Sequence, residues 1–324
     1  MINYTISQKI NHKLLLGNQF IKRTMYEIDA SMNKKKLKDV KKESHIFLGG
    51  LARSGSTALL NYIYQSNKFY SLTYENMPFV MSPSLSKIFK NKKNYNMKER
   101  AHKDGLLINE KSPEALDQIF LNSFSPKESI KLYPEYISLL LYVNNKTRYL
   151  SKNNNNLARI SSLSKVFTNS KFLIPVRLPI YHSHSLLNQH ENFSNLQKKD
   201  RFILSYMNYL GHFEFGLGHK PWNTPEKFTN DFSINYWLEQ WLMFHKELID
   251  LSNNIPNLFF IIYEKLNNQK YIDFLNQLVE IKGQNKYFKV NNNFYNENCN
   301  FKLLNECKKV YENLNRLCTI KSNV

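Results

Sequence analysis

Phe47-Leu48-Gly49-Gly50-Leu51-Ala52-Arg53-Ser54-Gly55-Ser56-Thr57-Ala58-Leu59-Leu60 is the stretch on which the reading of this chain turns. The apolar run His45-Ile46-Phe47-Leu48 predicts a short strand, and a helical pattern opens at Ser56 and continues to about residue 66. Between them lies a turn rich in glycine. A strand that enters a helix in this way leaves the first backbone N–H groups of the helix, from Ser54 to Thr57, without intrahelical partners. They point outward, where the helix dipole favours an anion.

Outward from this segment the same alternation continues. Phe69 to Thr73, Leu106-Leu107-Ile108, Arg148-Tyr149-Leu150, Lys171 to Val176 and Leu258 to Tyr263 are further short apolar runs, with helical patterns between them. Several are apolar at every position, the pattern of strands covered on both faces in a parallel sheet. The expected architecture is one α/β domain, P-loop-like, with three layers (α/β/α) around a mostly parallel central sheet. Residues 231–251 predict a long helix with Trp237, Trp241, Phe244 and Leu248 at helical spacing, read as a core stripe. The Asn runs at residues 153–156 and 291–293 read as loops, because Asn suits turns.

Gly50 and Gly55 have the spacing of the two glycines in the nucleoside-triphosphate loop G-x-x-x-x-G-K-[ST], but Ser56 stands where that loop has its lysine, and the cation is Arg53. No predicted strand clearly ends in the aspartate that helps such loops hold magnesium; two finish in Val176-Arg177 and Tyr263-Glu264. A loop shaped for a phosphate but without metal apparatus suits transfer of a less charged group, such as sulfuryl. In Lys171-Phe172-Leu173-Ile174-Pro175-Val176-Arg177-Leu178-Pro179 a strand ends in arginine, and Ser185 follows eight residues after it. With a helix starting near Pro179, Ser185 is about two turns along. An arginine fork and a hydroxyl can then share one phosphate.

These segments resemble the sulfotransferases that use 3'-phosphoadenosine 5'-phosphosulfate (PAPS). Arg53-Ser54-Gly55-Ser56-Thr57 is similar to their R-S-G-[ST]-[ST] loop, Arg177 with Ser185 to their 3'-phosphate motif, and Tyr263-Glu264-Lys265-Leu266 to the Y-E-x-L string that closes their core. The resemblance runs over residues 45–266, and the arginine in the loop is closest to the tyrosylprotein and bacterial carbohydrate branch. Leu178 departs from the family, many of whose members have Asp there. The resemblance implies that Arg53, Ser54, Gly55, Ser56, Thr57 and Ala58 hold the 5'-phosphosulfate and that Arg177 and Ser185 hold the 3'-phosphate. It further implies that PAPS is the co-substrate, that a hydroxyl of a glycan, a tyrosine or a small metabolite is the acceptor, and that no metal is required. Glu75, after the second predicted strand, is the expected base, with Glu110 as its rival. Lys152 resembles the family lysine that stabilises the leaving phosphate. His182, His184, His190, His212 and His219 could contact acceptor or act as base, and residues 211–222 look like a ligand-facing loop.

The whole chain, 324 residues with 42% hydrophobic content, has ample apolar material for a core. Its 45 Lys+Arg against 26 Asp+Glu give a formal charge of +19. Lys far outnumbers Arg, and Asn, Ile, Tyr and Phe are abundant, so this charge reads first as the bias of AT-rich codons, with an anionic ligand still in play. A P-loop nucleotide phosphotransferase and a non-enzymatic polyanion-binding protein are the rival readings; no nucleic-acid module is recognisable. Cys299, Cys307 and Cys318 are too few and too clustered for a disulfide framework, and no apolar run suffices for a membrane span or a signal peptide, so a cytoplasmic location is expected. Residues 1–44, with Lys34-Lys35-Lys36 and Lys41-Lys42, read as a basic arm, 45–282 as the sulfotransferase domain, and 283–324 as a helical and loop tail packed on it.

Overall fold

The computed structural model describes residues 5–89, 97–99, 107–222, 231–283, 288 and 299–322. Five strands form the central sheet: β1 (Ile46–Leu48), β2 (Phe69–Tyr70), β5 (Arg148–Lys152), β6 (Lys171–Val176) and β7 (Leu258–Ile262). All pair in parallel in the order β2-β5-β1-β6-β7, with Ile46 opposite both Leu150 and Lys171. β3 (Lys98–Glu99) and β4 (Leu107–Ile108) pair antiparallel in a separate ribbon. The helices are α1 (Ile6–Gly17), α2 (Gln19–Asn33), α3 (Ser56–Tyr64), α4 (Pro83–Ile88), α5 (Asp117–Leu121) and α6 (Pro126–Asn144). They continue with α7 (Ile160–Val166), α8 (Pro179–Lys199), α9 (Arg201–Leu210), α10 (Ile234–Ser252), α11 (Gln269–Val279) and α12 (Phe301–Ser322).

Side chains of successive strand residues point to opposite faces, and both faces here are covered. Ile46, Leu48, Leu150, Leu173 and Ile261 pack with Leu59, Leu60 and Ile63 of α3 and Ile272 and Leu275 of α11. Phe47, Phe172, Ile174, Val176 and Phe260 pack on the other side with Tyr133, Tyr136 and Ile137 of α6 and Trp241, Phe244 and Leu248 of α10. A single-domain α/β fold with helices on both sides of a parallel sheet results. Two-sided burial explains the uninterrupted apolar runs, and each such side chain contributes about 1.5–3 kcal/mol when fully buried. Trp237, Trp241, Phe244 and Leu248 are all buried, as their spacing predicts.

Two predicted strands end differently. Leu107–Ile108 lies outside the main sheet, with Leu107 55% exposed and Ile108 turned inward, the one-sided burial of an edge ribbon; Leu106 lies outside the described residues. The run from Phe69 stops at Tyr70 because Thr73 instead caps a 3-10 turn at Tyr74–Asn76, exchanging hydrogen bonds with Asn76. Asn153 is likewise a cap, accepting from the Asn155 amide at the head of a 3-10 turn. Residues 291–293 lie outside the described set. The basic N-terminal segment is folded as α1 and α2, which place Leu16, Tyr26 and Ala30 in the main core, and α12 buries Cys307, Leu314 and Cys318 in it. Among the described residues no helix is long and apolar enough to cross a membrane.

Candidate functional site

β1 lies between β5 and β6, and the chain leaves it towards β2 on one side and returns on the other. The carboxyl ends of these strands therefore flank the point where the strand order reverses, the crevice in which open α/β sheets bind ligands. The turn after β1 has three residues with left-handed backbone, Gly50 (φ 111°), Arg53 (φ 67°) and Gly55 (φ 96°). Two are glycines, for which that region costs little. Arg53 is not, and holding an L-residue there costs about 1–2 kcal/mol. Gly55 has a second reason to be glycine, since a Cβ at this position would run into the ring of Tyr263. The turn delivers Ser56 and Thr57 as the first residues of α3, both buried.

β6 ends at Val176, Arg177 is the next residue, and Pro179 occupies the first turn of α8, where its missing N–H is no loss. Arg53 Nε donates to Ser185 Oγ at 3.1 Å, so the loop after β1 and the first two turns of α8 meet at a shared edge. The Arg177 guanidinium lies 5.7 Å from the centre of the Tyr263 ring, within cation–π range. Its carbonyl accepts from Trp241 Nε1 at 3.3 Å. The next residue is fastened too: the Leu178 amide donates to Glu264 Oε1 at 2.8 Å, and Tyr311 Oη donates to Glu264 Oε2 at 2.8 Å. Three strings far apart in sequence, around Arg53, Arg177 and Tyr263, thus form one corner.

On the other side of β1, Lys152 closes β5. Its Nζ lies 3.5 Å from Glu114 Oε1, and both side chains are only 9% exposed. Glu114 also accepts from Tyr74 Oη at 2.9 Å and from the Ala115 amide at 2.8 Å. Residues 72–75 and 110–114 are laced together by backbone hydrogen bonds, Glu114 N to Leu72 O at 3.0 Å and Glu75 N to Glu110 O at 2.8 Å. The two candidate bases therefore sit on neighbouring backbone segments. Glu114, unremarked in the sequence beside Glu110, is the carboxylate that meets Lys152. Asp117 was equally unremarked. It is fully buried, accepts from Tyr149 Oη and Ser151 Oγ, and has its carboxyl pushed up to about 6 by desolvation against those two hydrogen bonds.

The five candidate histidines are packed into the fold. His182 is buried and its Nε2 lies 2.8 Å from the Ala52 carbonyl; His184 and His190 are buried on the same helix. His212 Nε2 is 3.0 Å from the Ala115 carbonyl, and His219 Nε2 is in hydrogen-bond contact with Tyr236 Oη. The glycine-rich stretch from 211 is tied to α8: Gln197 accepts the Leu217 amide at 2.6 Å, and Gly216 (φ 82°) leaves no room for a Cβ against the Gln197 amide. Among the described residues no group of three or more His, Cys, Asp or Glu is placed to hold a metal ion.

Residues 45–202 match the model of the Sulfotransferase family. The match takes in the Arg53 loop, Glu75, Lys152, Arg177 and Ser185 and stops short of Tyr263 and Glu264. The fold is similar to two solved sulfotransferases. One is STF1 from Mycobacterium tuberculosis H37Rv, 10% identical, with 96% of this chain and 86% of that chain covered at a TM-score of 0.53. The other is STF9 from Mycobacterium avium, 12% identical, with 97% and 79% covered at a TM-score of 0.50. No curated protein matches the chain.

Proposed function

We propose that this protein moves the sulfuryl group of PAPS to an acceptor hydroxyl. The observation that supports the reading is the hydrogen bond from Arg53 to Ser185, because it brings the anion loop at the start of α3 to the helix that follows Arg177, so that the two proposed phosphate-binding segments lie side by side. One such site suits one phosphate; two side by side suit a nucleotide phosphorylated at both the 5' and 3' positions.

In this reading the backbone amides of Gly55, Ser56, Thr57 and Ala58, with the Arg53 guanidinium, bind the 5'-phosphosulfate; the Ser54 amide, expected from the sequence to be free, instead closes the turn on the Leu51 carbonyl at 3.3 Å. Arg177 and Ser185 bind the 3'-phosphate. The acceptor oxygen attacks sulfur in line, the bond from sulfur to the 5'-phosphate oxygen breaks, and the acceptor proton passes to Glu75. The products are a sulfate ester and 3',5'-ADP. Lys152 meets the charge that grows on the leaving phosphate, exchanging its contact with Glu114 for one with the ligand. Fixed cations and amides aimed at developing charge lower the barrier because they need no reorganisation during reaction. A glycan, a tyrosine or a small metabolite supplies the hydroxyl.

A thermal-shift comparison of 3',5'-ADP with ATP and magnesium tests the reading, since a ligand that binds only the folded state raises the midpoint. Stabilisation by 3',5'-ADP and not by ATP with magnesium is expected. The opposite pattern would return the loop to phosphoryl transfer.

A further inference from the structure

The left-handed conformation of Arg53 needs something to hold it, and one tether on the loop comes from α8. The carbonyl of Ala52 belongs to the peptide plane that links Ala52 to Arg53. Rotation of that plane is what changes φ of Arg53. His182, on the first turn of α8 and buried, brings Nε2 to 2.8 Å from this carbonyl oxygen. A carbonyl can only accept, so Nε2 carries the hydrogen and the ring is the Nε2–H form. Burial first, and then the neighbouring His245, Arg177 and Arg53 charges, hold the imidazole well below its usual range, against the pull of the Ala52 hydrogen bond, and keep it neutral. His245 packs at 6.4 Å between ring centroids, is fully buried, and spends its own Nδ1 on the Trp241 carbonyl at 2.7 Å. Trp241 in turn stacks on His245 and donates to the Arg177 carbonyl.

A trans peptide is planar, with its C=O and N–H antiparallel. With the Ala52 oxygen drawn to His182, the Arg53 N–H is directed the opposite way; backbone N–H groups turned outward in such a loop bind anions. We infer that His182 is a positioning residue: by anchoring the Ala52 carbonyl it sets the Ala52–Arg53 peptide plane and so aims the Arg53 amide and side chain at the 5'-phosphosulfate. The inference rests on the sulfuryl-transfer reading above.

The test compares two ligands, 3',5'-ADP and adenosine 3'-monophosphate, by calorimetry on the wild type and on His182→Leu, His182→Asn and His182→Gln. Leu keeps bulk and removes the donor; Asn is too short to reach; the Gln side-chain amide can stand where Nε2–H stands. Loss of one net hydrogen bond corresponds to about a tenfold change in affinity. Leu and Asn are expected to weaken 3',5'-ADP by about that factor and to leave adenosine 3'-monophosphate unchanged, with Gln restoring the first. A residue that merely fills the core would move both ligands together or neither. Equal affinity of the wild type for the two ligands overturns the sulfotransferase reading itself. A wild type that discriminates, with a Leu variant that discriminates equally, overturns only the role of His182. If the variants do not fold, nitrogen NMR of the wild-type ring decides: a bare Nε2 or a charged imidazole overturns the inference.

Discussion

Arg53 on the loop after β1 and Ser185 on α8 are joined by a hydrogen bond of 3.1 Å across 132 residues of chain. If that bond organises a single nucleotide site, the two residues act together. Arg53→Ala and Ser185→Ala are each expected to weaken 3',5'-ADP, and the double variant to weaken it by less than the two effects summed, with a coupling of about 1.5 kcal/mol, the scale of a hydrogen bond to a charged group. Calorimetry on the four proteins measures it; strict additivity would separate the residues.

The 3'-phosphate is expected to dominate nucleotide discrimination. 3',5'-ADP should bind at least tenfold more tightly than 5'-AMP, since a charge-assisted hydrogen bond is worth about 1.5–3 kcal/mol. Arg177→Ala should erase the difference. Equal affinities of the wild type for both nucleotides would remove Arg177 and Ser185 from the site.

Glu75 is expected to take the acceptor proton. Glu75→Gln keeps the shape and should lower turnover by about 10²–10⁴-fold, the usual range for a general base, with 3',5'-ADP affinity almost unchanged. Glu110→Gln, on the adjacent segment, should be milder. Collapse in Glu110→Gln with near-normal Glu75→Gln transfers the role.

Lys152 and Glu114 are a buried pair, and removing one member strands the other. Lys152→Met should lower stability by about 3–5 kcal/mol in a denaturant titration, and adding Glu114→Gln should recover part of it, because the stranded charge is then gone. Equal stabilities of the single and double variants would mean that the pair is solvated.

Acid should unfold this protein early. Desolvation lowers His12, His45 and His190 to about 4 and His245 to about 3, and lowers His182 and His219 as well. Unfolded, these rings bind protons from about pH 6.5 downward, whereas the folded protein does not, so stability is lost as pH falls from there towards 4. Each extra proton bound on unfolding steepens the loss by about 1.4 kcal/mol per pH unit. Asp117, raised by burial to about 6, opposes this by a single proton between pH 6 and its ordinary value. Denaturant midpoints at pH 7, 6 and 5 are the measurement; a flat profile would show that the histidines are hydrated.

Strands were legible because burial on both faces leaves a strong mark, a run such as Phe172-Leu173-Ile174 with no polar residue. Leu107–Ile108 has the same composition over a shorter span, and composition alone does not separate a ribbon from a sheet member. In the loop, Gly50 and Gly55 announced their turn; Arg53 did not, because left-handed backbone is not an arginine's own preference and the contacts of its loop, His182 to the Ala52 carbonyl and Arg53 to Ser185, come from about 130 residues away. Glu114 was hidden for the same reason, since its lysine lies 38 residues on. His182 looks like any histidine on a helix until the Ala52 carbonyl is found beneath the loop.

Glu264 divides its carboxylate between the Leu178 amide at the end of β6 and the Tyr311 hydroxyl of α12. During synthesis, the turn that carries Arg177 leaves the ribosome well before Glu264, and Glu264 well before Tyr311. A nascent chain that stalls before residue 311 therefore lacks both the second partner of Glu264 and the α12 side chains Leu314 and Cys318 that belong to the main core, so this corner and the core are completed together.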